Sequence, residues 1–232
     1  MLKRLLAIAS FCIAMSFLNV FQWGALPRPN TANAEESNIV QVVVDKVAYK
    51  LNVADIPRFK EYLQTLPPDL QQLEKKRIRA WKVPNASQDI LIVGTACGVK
   101  SCRLSVHMKR PGTDKWEGAP LEESAIYQES AVSPDQRKVA VVTSQSAGYK
   151  KTVNSVYTFK LDPAAAKVFT KLNKVEPKKM FNGSYSEPFH RFRFKDNGTY
   201  TADLLVQQSV TPPPSHLHHE RRRQITGTIG EE

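Results

Sequence analysis

The cysteines are the residues of this chain whose chemistry is most sharply defined by their spacing. Cys97 and Cys102 enclose four residues, and Cys12 is the only other cysteine in the sequence. Two thiolates without a second Cys or His pair at zinc spacing do not complete a tetrahedral zinc site. In an oxidising compartment the same pair forms a disulfide, and so short a loop stabilises the fold by about 2 kcal/mol in the chain-entropy model. The spacing therefore favours a disulfide between Cys97 and Cys102 that holds one loop rigid.

Histidines and arginines crowd together towards the end of the sequence. Imidazoles can bind zinc, copper or nickel, and three histidines lie close together here: His216, His218 and His219. Their surroundings offer almost no apolar surface, so we expect residues 211–232 to be a flexible Pro/His/Arg-rich tail without a defined metal site. No cofactor is expected. The adjacent basic run is expected to attract anionic surfaces, and it consists of Arg221, Arg222 and Arg223.

Signatures of catalysis are missing from the sequence. It contains no Gly-x-Ser-x-Gly elbow, no His-Glu-x-x-His helix and no phosphate-binding glycine loop. His107 and His190 each lack an identifiable nucleophile, and we therefore expect a protein that is not an enzyme. A small hydrolase is the alternative. It requires one of these histidines within hydrogen-bond reach of a carboxylate or hydroxyl in a concave pocket.

Residues 1–34 have the three parts of an export signal. Lys3 and Arg4 give it a positive start, residues 5–21 form an apolar run, and residues 32–34 are the small-residue exit Ala-Asn-Ala. An uncleaved anchor is the alternative, but a membrane span needs about 20 apolar residues, and this run of 17 contains three polar ones. We expect cleavage after residue 34. The product would be periplasmic or extracellular, and not an integral membrane protein.

Composition narrows the choice of partner. The chain is 41% hydrophobic, which excludes a wholly disordered protein. Loss of Lys3, Arg4 and Arg28 with the leader leaves 30 basic residues against 22 acidic ones, a charge of +8 that attracts anionic partners. Phe192 and Phe194 alternate with basic residues as in a nucleic-acid platform, but alternation along one strand places rings and charges on opposite faces. We expect no nucleic-acid partner for an exported protein.

The elements that position these residues are predicted to be mainly strands. Residues 38–51 alternate apolar and polar positions, and apolar residues recur at helical steps near residues 53–77. Turn residues such as Asn197-Gly198 separate the later candidate strands, which are 78–83, 89–95, 103–109, 124–132, 138–143, 155–161, 167–171, 191–195 and 200–208. The pattern predicts an α+β, mainly β fold, with an antiparallel sheet or small β-sandwich covered by two short N-terminal helices. We expect one β-rich domain over residues 35–210.

The segment around the two cysteines resembles part of a known family. Residues 92–108 read Ile-Val-Gly-Thr-Ala-Cys-Gly-Val-Lys-Ser-Cys-Arg-Leu-Ser-Val-His-Met, with Trp81 before them and Gly118 after them. This segment is similar to the central hairpin of the periplasmic inhibitors of vertebrate lysozyme, and the similarity spans residues 81–118. The family loop reads Cys-Lys-Pro-His-Asp-Cys, whereas the loop here has neither the histidine nor the aspartate.

The resemblance implies a function for the loop. Family members carry a leader, have a helix-covered sheet and block the lysozyme cleft with a protruding loop that a disulfide closes. Carried over to this chain, Val99, Lys100 and Ser101 would form the contact tip, and Lys100 would approach a catalytic carboxylate. Vertebrate lysozymes are themselves basic, so a protein of charge +8 would be repelled by them. A more acidic wall-degrading enzyme is the better match.

These observations predict an exported, non-enzymatic binding protein with a protein partner. Its most concrete form is an inhibitor of a wall-degrading or other envelope enzyme that acts through the loop between Cys97 and Cys102. The alternative is a binder of an anionic envelope component that uses the basic tail and exposed lysines.

Overall fold

The computed structural model describes residues 38–146, 152–161, 169–175, 189–206 and 221–228. Within these ranges a short 3-10 turn, Val53–Asp55, precedes helices α1 (Phe59–Gln64) and α2 (Pro68–Lys76). The strands are β1 (Ile39–Val44), β2 (Val47–Asn52), β3 (Arg79–Lys82), β4 (Ile90–Thr95), β5 (Cys102–Lys109), β6 (Trp116–Val132), β7 (Lys138–Ser146), β8 (Thr152–Leu161), β9 (Phe169–Val175), β10 (Phe189–Phe194), β11 (Thr199–Val206) and β12 (Arg221–Thr228). The predicted leader lies outside the described residues.

The fold is mainly β and its ladders are antiparallel, as the sequence pattern predicts. Strands β3 to β9 form one sheet in which each strand pairs with the next along the chain. Strands β10, β11 and β12 form a second, antiparallel sheet, and β1 pairs with β2. Sequential pairing of this kind needs only short turns, which is why turn residues mark the strand boundaries in the sequence.

Strand β6 joins the two halves of the large sheet. Its first part pairs with β5 as far as Ala125, and its second part pairs with β7 from Ile126 onwards. One buried cluster contains Ile92 of β4 together with Val141 of β7 and Phe159 of β8, although β4 and β7 are not neighbours in the sheet. The two halves therefore face each other across this central cluster, as in a β-sandwich.

Strands β4 and β7 of the large sheet are buried on both faces. In β4, Ile92 belongs to the central cluster, whereas Leu91 packs with β1, β2 and α1 in a second cluster. In β7, Val141 belongs to the central cluster and Val142 packs against the sheet of β10, β11 and β12 in a third. Continuous apolar runs such as Ile90–Val93 follow from this arrangement, because every position of the strand is covered.

The helices differ in what they bury. Asn52 accepts a hydrogen bond from the Ala54 backbone N–H at 2.9 Å and so begins the 3-10 turn. Phe59 and Leu63 of α1 are buried in the second cluster. In α2 the buried residue is Glu74, which accepts a hydrogen bond from Arg77 at 2.9 Å, and the two leucines of the helix are exposed. A cover over the sheet formed by both helices therefore stays a prediction.

The predicted flexible tail is wrong for residues 221–228. These residues form β12, which pairs with β11 over eight positions, and Ile225 is buried in the third cluster. Pairing satisfies the backbone of a segment whose own side chains supply little apolar surface. The sequence signal was weak because Ile225 is the main apolar residue of β12. Residues 211–220 of the predicted tail lie outside the described part.

A prediction concerns Gly118, which lies in β6 opposite His107. A Cβ atom at Gly118 would stand 2.4 Å from the Asp55 carbonyl oxygen and 2.6 Å from Cε1 of His107. We expect Gly118→Ala to lower the free energy of unfolding by about 3 kcal/mol, measured by urea denaturation, because backbone and a buried ring must both move. Gly198→Ala is the control, since its nearest neighbour is an Asp196 oxygen at 4.0 Å. Equal stability of the two variants would contradict the packing described.

Candidate functional site

The loop between β4 and β5 is closed by a disulfide. Cys97 and Cys102 are bonded, which confirms the pairing expected from their spacing. Inside the ring, the Gly98 backbone N–H donates a hydrogen bond to the Ser101 carbonyl at 2.8 Å. The loop is thus constrained both covalently and by its own backbone.

The root of the loop belongs to the hydrophobic core. Cys102 is buried in the central cluster, and Cys97 packs against that cluster. Gly94 lies directly beside the disulfide. A Cβ atom at Gly94 would be 3.2 Å from Cys102 Sγ and 3.3 Å from the Trp81 ring. The absence of a side chain at Gly94 lets the disulfide and the ring approach the strand, so the loop is anchored on packed residues.

The tip of the loop faces solvent. Val99 is 99% exposed, Lys100 is also exposed, and Ser101 is half-buried. The Ser124 hydroxyl of β6 donates a hydrogen bond to the Ser101 hydroxyl at 2.9 Å. Two of the three predicted tip residues are therefore exposed, and the third is tied to β6. Their role as contact residues stays a prediction.

A cluster of charges that the sequence analysis missed lies beside this loop. Glu123 accepts a hydrogen bond from Arg103 Nε at 2.8 Å on one carboxylate oxygen and from Arg58 on the other. Arg58 precedes Glu123 by 65 residues, so no local pattern signals their contact. Two features of the sequence could have pointed to this cluster: an arginine directly after Cys102 and a pair of adjacent glutamates in β6.

The neighbouring glutamate points to the other face of the sheet. Glu122 accepts hydrogen bonds from the Tyr157 hydroxyl at 2.5 Å and from Lys174 Nζ at 2.6 Å. Burial acts to raise the pKa of Glu122, but the hydrogen bonds from Lys174 and Tyr157 outweigh it and leave that pKa below its usual value. Burial and the same carboxylate raise the pKa of Tyr157. This cluster joins β6, β8 and β9.

The hydrolase alternative depends in part on the surroundings of His107. Its Nε2 lies 2.9 Å from the Ser105 hydroxyl, so an imidazole and a hydroxyl do meet. Both side chains are buried, and Nδ1 of His107 has no hydrogen-bond partner among the described residues. Burial lowers the pKa of His107 to about 3. The pair is closed off from solvent, so a substrate does not reach His107 in this position.

The remaining candidates lie near the end of the chain. Arg223 is exposed on β12, opposite Leu204, and the side chains of Arg221 and Arg222 lie outside the described part. His190 is half-buried in β10. The three histidines that could bind a metal, but for which no site was expected, also lie outside the described part, and they are His216, His218 and His219. The described residues contain no group of three His, Cys, Asp or Glu side chains that could hold a metal ion.

Comparisons with known proteins give no family for this chain. No protein-family model, no curated protein and no solved structure matches it. Of the helices in the described ranges, none is long and apolar enough to cross a membrane.

A prediction follows from the burial of His107. Its folded-state pKa of about 3 lies below the ordinary value of 6.5, so between these pH values the unfolded chain binds a proton that the folded chain does not. This contribution to stability is complete above pH 6.5 and falls by about 1.4 kcal/mol per pH unit below it. We expect urea denaturation to show a loss of about 2 kcal/mol between pH 7.5 and 5 that His107→Gln removes.

A matched control separates this effect from general destabilisation. Val93→Ala removes packing from the second cluster and leaves the imidazole in place, so its pH-dependent loss should equal that of the wild type. If His107→Gln loses as much stability on acidification as the wild type, burial of the neutral imidazole is not the cause.

Proposed function

We propose that this chain is an exported, non-enzymatic binding protein that contacts a protein partner through the loop between Cys97 and Cys102. The observation that carries the proposal is Val99, a branched apolar side chain that is 99% exposed at the tip of a cross-linked loop. An apolar residue held away from the core gains nothing for folding, but it loses its contact with water when a partner covers it.

The rigidity of the loop supports the same role. Binding normally costs free energy for ordering a mobile loop, at about 0.5–1.5 kcal/mol per immobilised side chain. Here the disulfide, the backbone hydrogen bond from Gly98 to Ser101 and the bond from Ser124 restrain the loop before a partner arrives. A loop restrained in this way retains more of its contact energy as affinity.

The most concrete form of the proposal is inhibition of a wall-degrading or other envelope enzyme. The resemblance to the periplasmic inhibitors of vertebrate lysozyme supports it, and Lys100 beside Val99 can approach a carboxylate in an enzyme cleft. The overall charge supports a partner that is more acidic than vertebrate lysozymes.

A second candidate is a binder of an anionic envelope component. Arg223 is exposed on β12, which is an edge strand of its sheet among the described residues, and this observation favours a basic surface there. Truncation after residue 210 would remove salt-sensitive binding to anionic vesicles if this candidate is right. It would also remove a strand that pairs with β11, so Arg223→Glu is the cleaner variant.

Export can be tested directly. Expressed with its leader in a bacterium that has a periplasm, the protein is expected in the periplasm with Glu35 as its first residue. Thiol titration of that material under denaturing conditions should find no free sulfhydryl, because Cys12 has left with the leader and the remaining pair is bonded. Recovery of the protein with Met1 intact, or of two reactive thiols, would contradict the proposed export.

The loop is tested by a charge reversal at its tip. Purified protein is used to capture envelope proteins, which are identified by mass spectrometry, and any wall-degrading enzyme among them is assayed for inhibition. We expect Lys100→Glu to reduce both recovery and inhibition at least about tenfold, because a reversed charge at a covered contact costs more than 1.4 kcal/mol.

The control for this test is Lys50→Glu, the same charge reversal at an exposed position of β2. It should leave recovery and inhibition at the wild-type level. Equal recovery with wild type and Lys100→Glu would remove the loop from the proposed function.

A further inference from the structure

We infer that the contact surface extends from the loop to a two-arginine carboxylate site, made of Arg58 and Arg103, and that an acidic protein partner places one of its own carboxylates there in place of Glu123. The inference rests on the proposed function, because it names the chemistry of the partner for the same surface. It follows from three features of the described residues.

The first feature is the geometry around Glu123. Arg103 Nε donates to one carboxylate oxygen at 2.8 Å, and Arg58 Nη1 donates to the other. Each oxygen thus accepts a charge-assisted hydrogen bond from a different guanidinium group, and such bonds are among the strongest that a carboxylate makes. The two arginines therefore already form a carboxylate site, and Glu123 fills it.

The second feature is that one arginine is fixed and the other two groups are accessible. Arg103 is 28% exposed, donates to the Arg58 carbonyl at 3.4 Å and lies 5.9 Å above the centre of the Tyr62 ring. Arg58 and Glu123 are 64% and 51% exposed. Exposed ion pairs contribute little to stability, so Glu123 can turn away at small cost while Arg103 stays in place.

Arg58 itself has an unusual backbone. Its φ angle of 58° lies in the left-handed region, and it precedes α1 without a capping side chain. Non-glycine residues are uncommon in this region, and those that occur there cluster at functional sites. The guanidinium of Arg58 lies beside Glu123 of β6.

The third feature is a β-bulge that places this site next to the loop. Cys102 pairs with Ala125 and Leu104 with Glu122, so the single residue Arg103 lies opposite two residues of β6, Glu123 and Ser124. One of these two binds the arginines and the other binds Ser101 of the loop.

The distance from the loop tip is short. Arg103 follows Lys100 by three residues, so at most about 10 Å of extended chain separates their Cα atoms. A partner that covers Val99 and Lys100 therefore reaches the arginines with the same surface.

The charge balance selects an acidic partner. Two guanidinium groups share the carboxylate of Glu123, which leaves one positive charge at the site, and Lys100 adds another. Glu122 does not offset them, because it is bound to Tyr157 and Lys174 on the opposite face of the sheet. A partner carboxylate that replaces Glu123 would meet two arginines, and the displaced Glu123 carboxylate, already 51% exposed, would turn to solvent.

A second arginine–glutamate pair provides a matched control. Arg110 donates to Glu117 at 3.0 Å beyond the other end of β5, and the side chain of Arg110 is 47% exposed. This pair joins β6 to the residue that directly follows β5, and it is not part of the proposed contact surface. Substitutions there change the overall charge equally.

The inference is tested with a hexaglutamate peptide as an acidic probe, by fluorescence polarisation at low and at physiological salt. We expect Arg58→Ala to weaken binding about tenfold, which corresponds to the loss of one charge-assisted hydrogen bond. Glu123→Gln should strengthen binding at least about threefold, because the neutral amide no longer competes with the probe for the arginines. Arg110→Ala and Glu117→Gln should each change binding less than about twofold.

The outcomes separate this inference from the proposed function. The inference is overturned if hexaglutamate does not bind, if Glu123→Gln leaves binding unchanged or weaker, or if the Arg110 and Glu117 variants behave like those of Arg58 and Glu123. Loss of partner capture by Lys100→Glu together with any of these results would retain the loop and remove the arginine site. Far-ultraviolet circular dichroism of each variant confirms that it is folded.

Discussion

Strand β6 takes part in two ladders, and its register controls the position of the other layers. Its first part hydrogen-bonds to β5 and its second part to β7, with irregular pairing near Arg103 and Gln128. Side chains alternate between faces along a strand, so a shift of one residue would exchange the two sides of β6. Glu122 and Glu123 would then trade their partners, and Ala125 would leave the central cluster.

Burial of both sheet faces makes this register unambiguous. The central cluster holds the two halves of the sheet together, the second cluster attaches the N-terminal hairpin and α1, and the third attaches β10, β11 and β12. Any slip would expose apolar residues in more than one cluster at once, which opposes it strongly. The loop between Cys97 and Cys102 is held in place by the same packing, because its disulfide contacts the central cluster.

Local sequence patterns located most of the strands but not the whole of β6. Runs such as Ile90–Thr95 and the Asn197-Gly198 turn gave boundaries close to those observed, because alternation and turn chemistry depend on neighbouring residues. The expected start of β6 at residue 124 missed eight residues, since Gly118 and Pro120 are typical of turns. Strand β12 was also missed. It is stabilised by backbone pairing with β11, and its own amino-acid composition does not predict a strand.

The amino-acid sequence by itself determined the mainly β, antiparallel character of the fold and the disulfide loop. Both depend on spacing over a few residues: alternation along a strand, and two cysteines close enough to bond. The tertiary structure alone decided that Ser101 meets Ser124, that Arg58 and Arg103 share Glu123, and that His107 is buried beside Ser105. Arg58 and Glu123 are 65 residues apart in the sequence, and they meet because the chain packs α1 against the sheet where β6 bulges. No local sequence pattern predicts this contact.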